Sequence, residues 1–349
     1  MIISEGKLEH LKKLSNAKGV ISAAAMDQRG SLAKSIAKEK GVDVKAVTQE
    51  MMEEFKIIVS KVLTPHASAI LLDPEFGLPA AKARSKNAGL LLAYESSGYD
   101  NTKPGRLPDL LETESVRRIK AAGADAIKIL IYYTPFDDKR VNEIKHAFVE
   151  RIGSECADND IPFFLEFVGY DPAGADVNTL DFAKKKPQVV TGSMQEFTKP
   201  QYQVDVLKVE MPINMKFVEG AKVCKGEKAY TKKEAMNIFV QTAKVTKKPF
   251  IYLSAGVSDD EFRESLELAA ESGVSFNGVL CGRATWKEGI PVYAKQGAKA
   301  LENWMLDQGV KNIKALNAVL EKCAKPWYDV YGGMSKIKAA PKTLQTVGA

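Results

Sequence analysis

Short apolar runs without polar alternation recur along the chain. They occupy residues 20–26, 69–72, 89–94, 124–133, 162–168, 204–209, 249–253 and 276–281. A strand open to water on one face alternates apolar and polar positions, whereas a strand covered on both faces does not. These runs therefore predict eight buried parallel strands. Charged stretches with helical periodicity separate them, at residues 31–63, 112–122, 141–159, 178–197, 231–245 and 259–272. The gap at residues 74–87 has the weakest helical pattern, and two further helical stretches, 292–306 and 310–323, follow the last strand. Strict alternation of strand and helix predicts an α/β fold, a single-domain (β/α)8 TIM barrel over residues 1–334 with extra C-terminal helices. An open doubly wound sheet is the alternative, but no Gly-x-Gly-x-x-Gly turn follows the first strand and no Walker A sequence occurs. Residues 335–349 have little apolar content and are expected to form a loosely ordered tail.

Two lysines interrupt the apolar pattern. Lys208 lies in Val204-Asp205-Val206-Leu207-Lys208-Val209-Glu210, and Lys128 in Ala126-Ile127-Lys128-Ile129-Leu130-Ile131-Tyr132. An ammonium inside an apolar strand is unfavourable unless it is paired, neutralised or used. Strand alternation puts Val206, Lys208 and Glu210 on one face, Ala126 and Lys128 on another, and Phe164, Glu166 and Val168 on a third. If these faces point inward, two ammoniums and one or two carboxylates converge. Burial and a neighbouring ammonium both favour a neutral amine, which can attack a ketone and form a Schiff base. Glu166 is placed to shuttle protons. The other reading of Lys208 is half of a buried ion pair.

A barrel of this kind carries its functional residues at the C-terminal ends of its strands. The first run ends in Asp27-Gln28-Arg29-Gly30, the seventh in Ser254-Ala255-Gly256 and the eighth in Cys281-Gly282-Arg283. Ser254, Gly256, Gly282 and Arg283 suit a phosphate, because glycines let backbone N–H groups approach an oxyanion and a guanidinium grips it bidentately. Asp27, Gln28 and Arg29 are further substrate-binding candidates. Arg29 is expected either to hold a second anionic group across the mouth or to pair with Asp27.

Composition narrows the classes further. The chain has 349 residues, 45% hydrophobic and 27% charged, with a formal net charge of +6. That mild excess suits an anionic substrate. Its one compact basic run, Lys184-Lys185-Lys186, reads as a solvated face, so no nucleic acid is expected as partner. No stretch is apolar long enough to span a membrane, and the N-terminus lacks the apolar core of a signal peptide. The four cysteines, Cys156, Cys224, Cys281 and Cys323, form no Cys-x-x-Cys pair and are expected as free thiols of a cytoplasmic protein. None of the three histidines, His10, His66 and His146, lies at a predicted strand C-terminus or at ligand spacing, so no metal is expected.

Five blocks carry a family resemblance. They are Asp27-Gln28-Arg29-Gly30, the segment from Leu72-Asp73-Pro74-Glu75 to Arg84, Asp205-Val206-Leu207-Lys208-Val209-Glu210, Tyr252-Leu253-Ser254-Ala255-Gly256-Val257-Ser258, and Gly278-Val279-Leu280-Cys281-Gly282-Arg283-Ala284-Thr285-Trp286. In that order, from about Ser15 to Cys323, the chain resembles the tagatose 1,6-diphosphate aldolases of the lactose-operon type. The resemblance implies a class I aldolase without cofactor or metal, cleaving tagatose 1,6-bisphosphate to dihydroxyacetone phosphate and glyceraldehyde 3-phosphate. It implies Lys208 as the Schiff-base lysine, Glu166 as the acid/base and Lys128 as an active-site partner. Asp27, Gln28, Arg29, Ser254, Gly256, Gly282 and Arg283 then hold the phosphorylated ketose. Fructose 1,6-bisphosphate and sulfofructose 1-phosphate are alternative substrates. An isomerase, epimerase or decarboxylase on the same barrel, or a sugar-phosphate sensor without turnover, stays open from the residues alone. A homo-oligomer, a dimer by the commonness of two-fold assemblies, is the expected assembly.

Overall fold

The computed structural model of the chain describes residues 1–96 and 104–341. The described residues form ten strands: β1 (Ile2–Ser4), β2 (Ile21–Ala25), β3 (Ala69–Leu72), β4 (Gly89–Ala93), β5 (Ala126–Tyr132), β6 (Phe163–Val168), β7 (Val206–Val209), β8 (Phe250–Leu253), β9 (Gly278–Cys281) and β10 (Lys338–Ala340). Strands β2 to β9 form a closed barrel in sequence order, every neighbouring pair parallel and β9 closing on β2. Each of the eight apolar runs is one barrel strand, and Lys208 lies on the sixth, β7.

Two buried clusters explain the missing alternation. Inside the barrel, Ile21, Ala23, Ala25, Leu71, Leu91, Ala126, Phe164, Val206, Ile251 and Leu280 pack together. The intervening residues, among them Ile127, Ile129, Leu165 and Leu207, pack outward against the helices. Helix α1 (Glu5–Leu14) lays Leu8, Leu11 and Leu14 onto the interior cluster beside the fully buried Trp327. The N-terminal end of the barrel is thereby plugged, and the C-terminal end is the face left for a ligand.

The helical stretches are more broken than their periodicity predicts. Residues 31–63 split into helices Gly30–Lys40 and Gln49–Leu63. Gly41 ends the first in the left-handed region at φ 67°, and the Thr48 side chain caps the second by accepting from the Met51 N–H. Residues 112–122 contribute only Val116–Ala121, and 74–87 only Leu78–Ala83. The stretch 292–306 is interrupted at Gly297, between helices Gly289–Gln296 and Ala298–Trp304, while 310–323 is a single helix, Val310–Cys323. Part of the expected loose tail is ordered: β10 pairs parallel with β1, with Ile2 opposite Lys338 and Ser4 opposite Ala340. Backbone pairing fixes this segment where side-chain burial gives little signal, since Lys338 and Ala339 are exposed. Residues 342–349 lie outside the described residues. No described helix is long and apolar enough to cross a membrane.

Candidate active site

Three interior side chains one step above the apolar cluster are charged. Lys128 is two residues beyond Ala126, Glu166 two beyond Phe164, and Lys208 two beyond Val206, so all three enter the barrel. Glu166 and Lys208 are register partners on β6 and β7, while Lys128 pairs with Phe164, one inward position lower. With the strand ends they line a cavity of about 650 Å³ at the C-terminal mouth. Asp27, Gln28, Arg29, Ser254, Gly256, Gly282 and Arg283 line the same cavity, so the residues singled out from the sequence converge there.

Lys128 Nζ lies 2.8 Å from Asp27 Oδ2, 2.6 Å from Glu95 Oε1 and 2.9 Å from Glu166 Oε2. Its side chain has no exposure to solvent. Burial alone would favour the neutral amine; the three carboxylates outweigh it and raise Lys128 well above the ordinary lysine value. The same Glu166 oxygen stands 2.8 Å from Lys208 Nζ. Burial pushes the Glu166 carboxyl up, and the ammoniums of Lys128 and Lys208 prevail and hold it below its ordinary value. Asp27 is lowered by the same balance. Glu95 differs: burial dominates over Lys128 and raises its carboxyl. One cluster therefore contains carboxylates pushed in opposite directions, the condition for dividing acid and base work among like groups. The sequence pattern leads to one or two carboxylates beside the two ammoniums; the structure places three, Asp27, Glu95 and Glu166, against Lys128 alone.

The mouth carries cations. Lys34, Lys216 and Arg283 are exposed on the cavity rim. Gly256, in the left-handed region at φ 82°, lies under Arg283: a Cβ there would stand 2.8 Å from Arg283 Cζ. Ala255 is also left-handed, at φ 49°, so the turn after β8 holds a strained backbone against the guanidinium. Arg29 lines the cavity, but its guanidinium is engaged: Nη1 donates to Glu75 Oε2 at 2.6 Å and Nη2 to the Glu95 carbonyl at 2.7 Å. It does not pair with Asp27, which Lys128 takes.

Several lining residues escaped the sequence reading. Glu95 directly follows the third apolar run, the strand-end position that marked the others. Lys186, taken for a solvated face, is only 14% exposed at its side chain and reaches to 3.6 Å from Glu210 Oε1 on the cavity wall. Among the described residues no group of three or more His, Cys, Asp or Glu is placed to hold a metal ion.

A model described as DeoC/LacD family aldolase matches residues 21–288. The chain belongs to that family. It is an aldolase, a carbon–carbon lyase, and the barrel strands and both sets of strand ends lie inside the matched region. The tagatose 1,6-diphosphate aldolase 2 of Enterococcus faecalis is 54% identical over 328 residues, covering 94% of this chain and 97% of that one. The tagatose 1,6-diphosphate aldolase of Listeria monocytogenes is 51% identical over 340 residues, covering 97% and 99%. Solved structures share the fold at far lower identity. The fructose-bisphosphate aldolase of Plasmodium falciparum superposes with a TM-score of 0.66 at 14% identity, covering 92% of this aldolase and 95% of that chain. An archaeal fructose 1,6-bisphosphate aldolase gives 0.53 at 14% identity, covering 89% and 98%.

Proposed function

We propose that this enzyme is a class I aldolase that cleaves D-tagatose 1,6-bisphosphate to dihydroxyacetone phosphate and D-glyceraldehyde 3-phosphate through an imine on Lys208. The observation that carries the reading is the Lys208–Glu166 pair at 2.8 Å on the cavity floor. Relatives above 50% identity over nearly their whole length bear that substrate in their names.

Lys208 Nζ gives one proton to Glu166 and attacks the C2 carbonyl; a C–N bond forms, the C=O π pair moves onto the oxygen, and a second nitrogen proton passes to that oxygen to give a carbinolamine. Glu166 protonates the C2 hydroxyl, which leaves as water, and the iminium forms. A carboxylate of the cluster takes the C4 hydroxyl proton, the C3–C4 bond breaks, and its electron pair flows into the iminium to give an enamine. The aldehyde product departs. Protonation at C3 and addition of water then release dihydroxyacetone phosphate and the free amine. Lys128 compensates the carboxylates throughout. Gln28 lies on the wall, while Ser254, Gly256, Gly282 and Arg283 hold the C1 phosphate. The amine supplies the electron sink, so no metal or cofactor is assigned.

Borohydride reduction with dihydroxyacetone phosphate should leave a covalent adduct on Lys208, read by peptide mass. Cleavage of tagatose 1,6-bisphosphate should be no slower than that of its C4 epimer, fructose 1,6-bisphosphate, and should survive a strong chelator. An unmodified Lys208, full activity in Lys208→Ala, or chelated enzyme revived by zinc overturns the proposal.

A further inference from the structure

Helix Gln49–Leu63 buries a stripe at Met52, Phe55, Val59 and Leu63 against the barrel. Lys56 occupies a position of that stripe and is fully buried. Its Nζ donates to the carbonyls of Met26 at 2.7 Å and Gln28 at 2.8 Å, and to the Asp73 carboxylate. All three ammonium protons are thus used. The two carbonyls flank Asp27 on either side in sequence, and Asp27 Oδ2 lies 2.8 Å from Lys128 Nζ. Asp73 directly follows β3, is itself fully buried, and accepts from the Phe76 N–H.

An apolar residue would complete the stripe without desolvating a charge, so packing alone does not account for the lysine. Its ties go to the short segment that presents Asp27 to the cavity. We infer that Lys56 is a positioning residue of the active site, clamping the Met26 and Gln28 carbonyls so that Asp27 is aimed at Lys128. Its charge reaches Asp27 as well: burial raises that carboxyl, Lys128 and Lys208 lower it most, and Lys56 adds to the lowering. The inference rests on the aldolase site proposed above and deepens it.

The test compares wild type with Lys56→Met/Asp73→Asn, which removes the buried charge pair together, and with Lys56→Arg, which keeps the charge. In the double variant kcat should fall roughly 10–100-fold, the scale of a misplacement near 1 Å. KM should stay within about twofold, because the phosphate grip is untouched. The acid limb of the kcat–pH profile should move to higher pH, since Asp27 loses a cation. Lys56→Arg should keep that limb in place while kcat falls. A purely structural role would lower activity without moving the limb, and that result, or a wild-type kcat, overturns the inference. Should the double variant not fold by circular dichroism, a Lys56→Arg enzyme with unchanged kcat overturns it equally. Borohydride trapping is scored separately: absence of the adduct in wild type refutes the imine, whereas an adduct with an unmoved acid limb refutes only the role of Lys56.

Discussion

Lys208 and Glu166 face each other as register partners on adjacent strands, with Nζ 2.8 Å from Oε2. That oxygen is also 2.9 Å from Lys128 Nζ. One carboxylate thus bridges two amines in very different settings, Lys128 held charged by three carboxylates and Lys208 opening onto the cavity. A proton passing between Lys208 and Glu166 leaves the other members of the cluster in place.

Glu166→Gln keeps the shape of that bridge and removes its basicity. We expect kcat to fall about 100- to 10,000-fold, the range for loss of a positioned acid/base, with little change in KM. Borohydride should still label Lys208, at a slower rate. Rapid-quench kinetics with the bisphosphate decide the matter, and a variant that turns over like wild type refutes the assignment.

Lys128→Met should destabilise the fold, because it strands Asp27, Glu95 and Glu166 around an apolar side chain. Removing one partner of a buried charge network costs about 3–5 kcal/mol. Glu95 carries the carboxyl that burial already raises. Adding Glu95→Gln should therefore recover about 0.5–3 kcal/mol as a coupling energy in a urea double-mutant cycle. Strict additivity of the two changes would show that Lys128 and Glu95 do not stabilise one another.

The barrel was legible because its strands are covered on both faces and lack alternation. The inward face followed from residue parity, and Lys128, Glu166 and Lys208 do converge. Glu95 carried the same strand-end signal as Asp27, yet a glutamate after Tyr94 is common chemistry and nothing local announces Lys128 as its partner. Lys56 was legible only as a lysine on an apolar helical stripe. Its partners, the carbonyls of Met26 and Gln28, depend on how the helix docks. The helix breaks at Gly41 and Gly297 were hidden because periodicity runs through them, and only the left-handed backbone ends the turn. The β1–β10 pair was invisible because it rests on main-chain hydrogen bonds.

Gly256→Ala tests the phosphate grip proposed for the turn after β8. An added Cβ meets the Arg283 guanidinium and must also take φ 82°, a left-handed geometry that disfavours alanine. We expect Arg283 to be displaced, losing a charge-assisted contact worth about 1.5–3 kcal/mol. That corresponds to a rise of roughly 10- to 150-fold in KM for the bisphosphate. The kcat should change little, and Arg283→Ala should give a KM of similar size. A wild-type KM in either variant would remove this turn from the binding site.

Lys145 should make the fold more stable as pH rises from about 8 toward 10, against the usual alkaline trend. Its side chain is fully buried; Nζ donates to Tyr170 Oη at 2.8 Å and lies 3.7 Å from Asp137. Burial dominates over Asp137, helped by Arg106, and lowers Lys145 to about 8. The unfolded chain keeps an ordinary lysine, so between these two values it binds more protons than the folded one. Stability therefore increases with pH across that window, and the full penalty is present below about 8. By the linkage relation the span is about 3 kcal/mol. Lys145→Met has nothing to titrate, so the difference between wild type and variant isolates this one group. Urea unfolding at pH 7, 8, 9 and 10 should show the variant ahead at pH 7 and the gap closing toward pH 10. Parallel curves would mean that Lys145 is as easily protonated in the fold as in the unfolded chain.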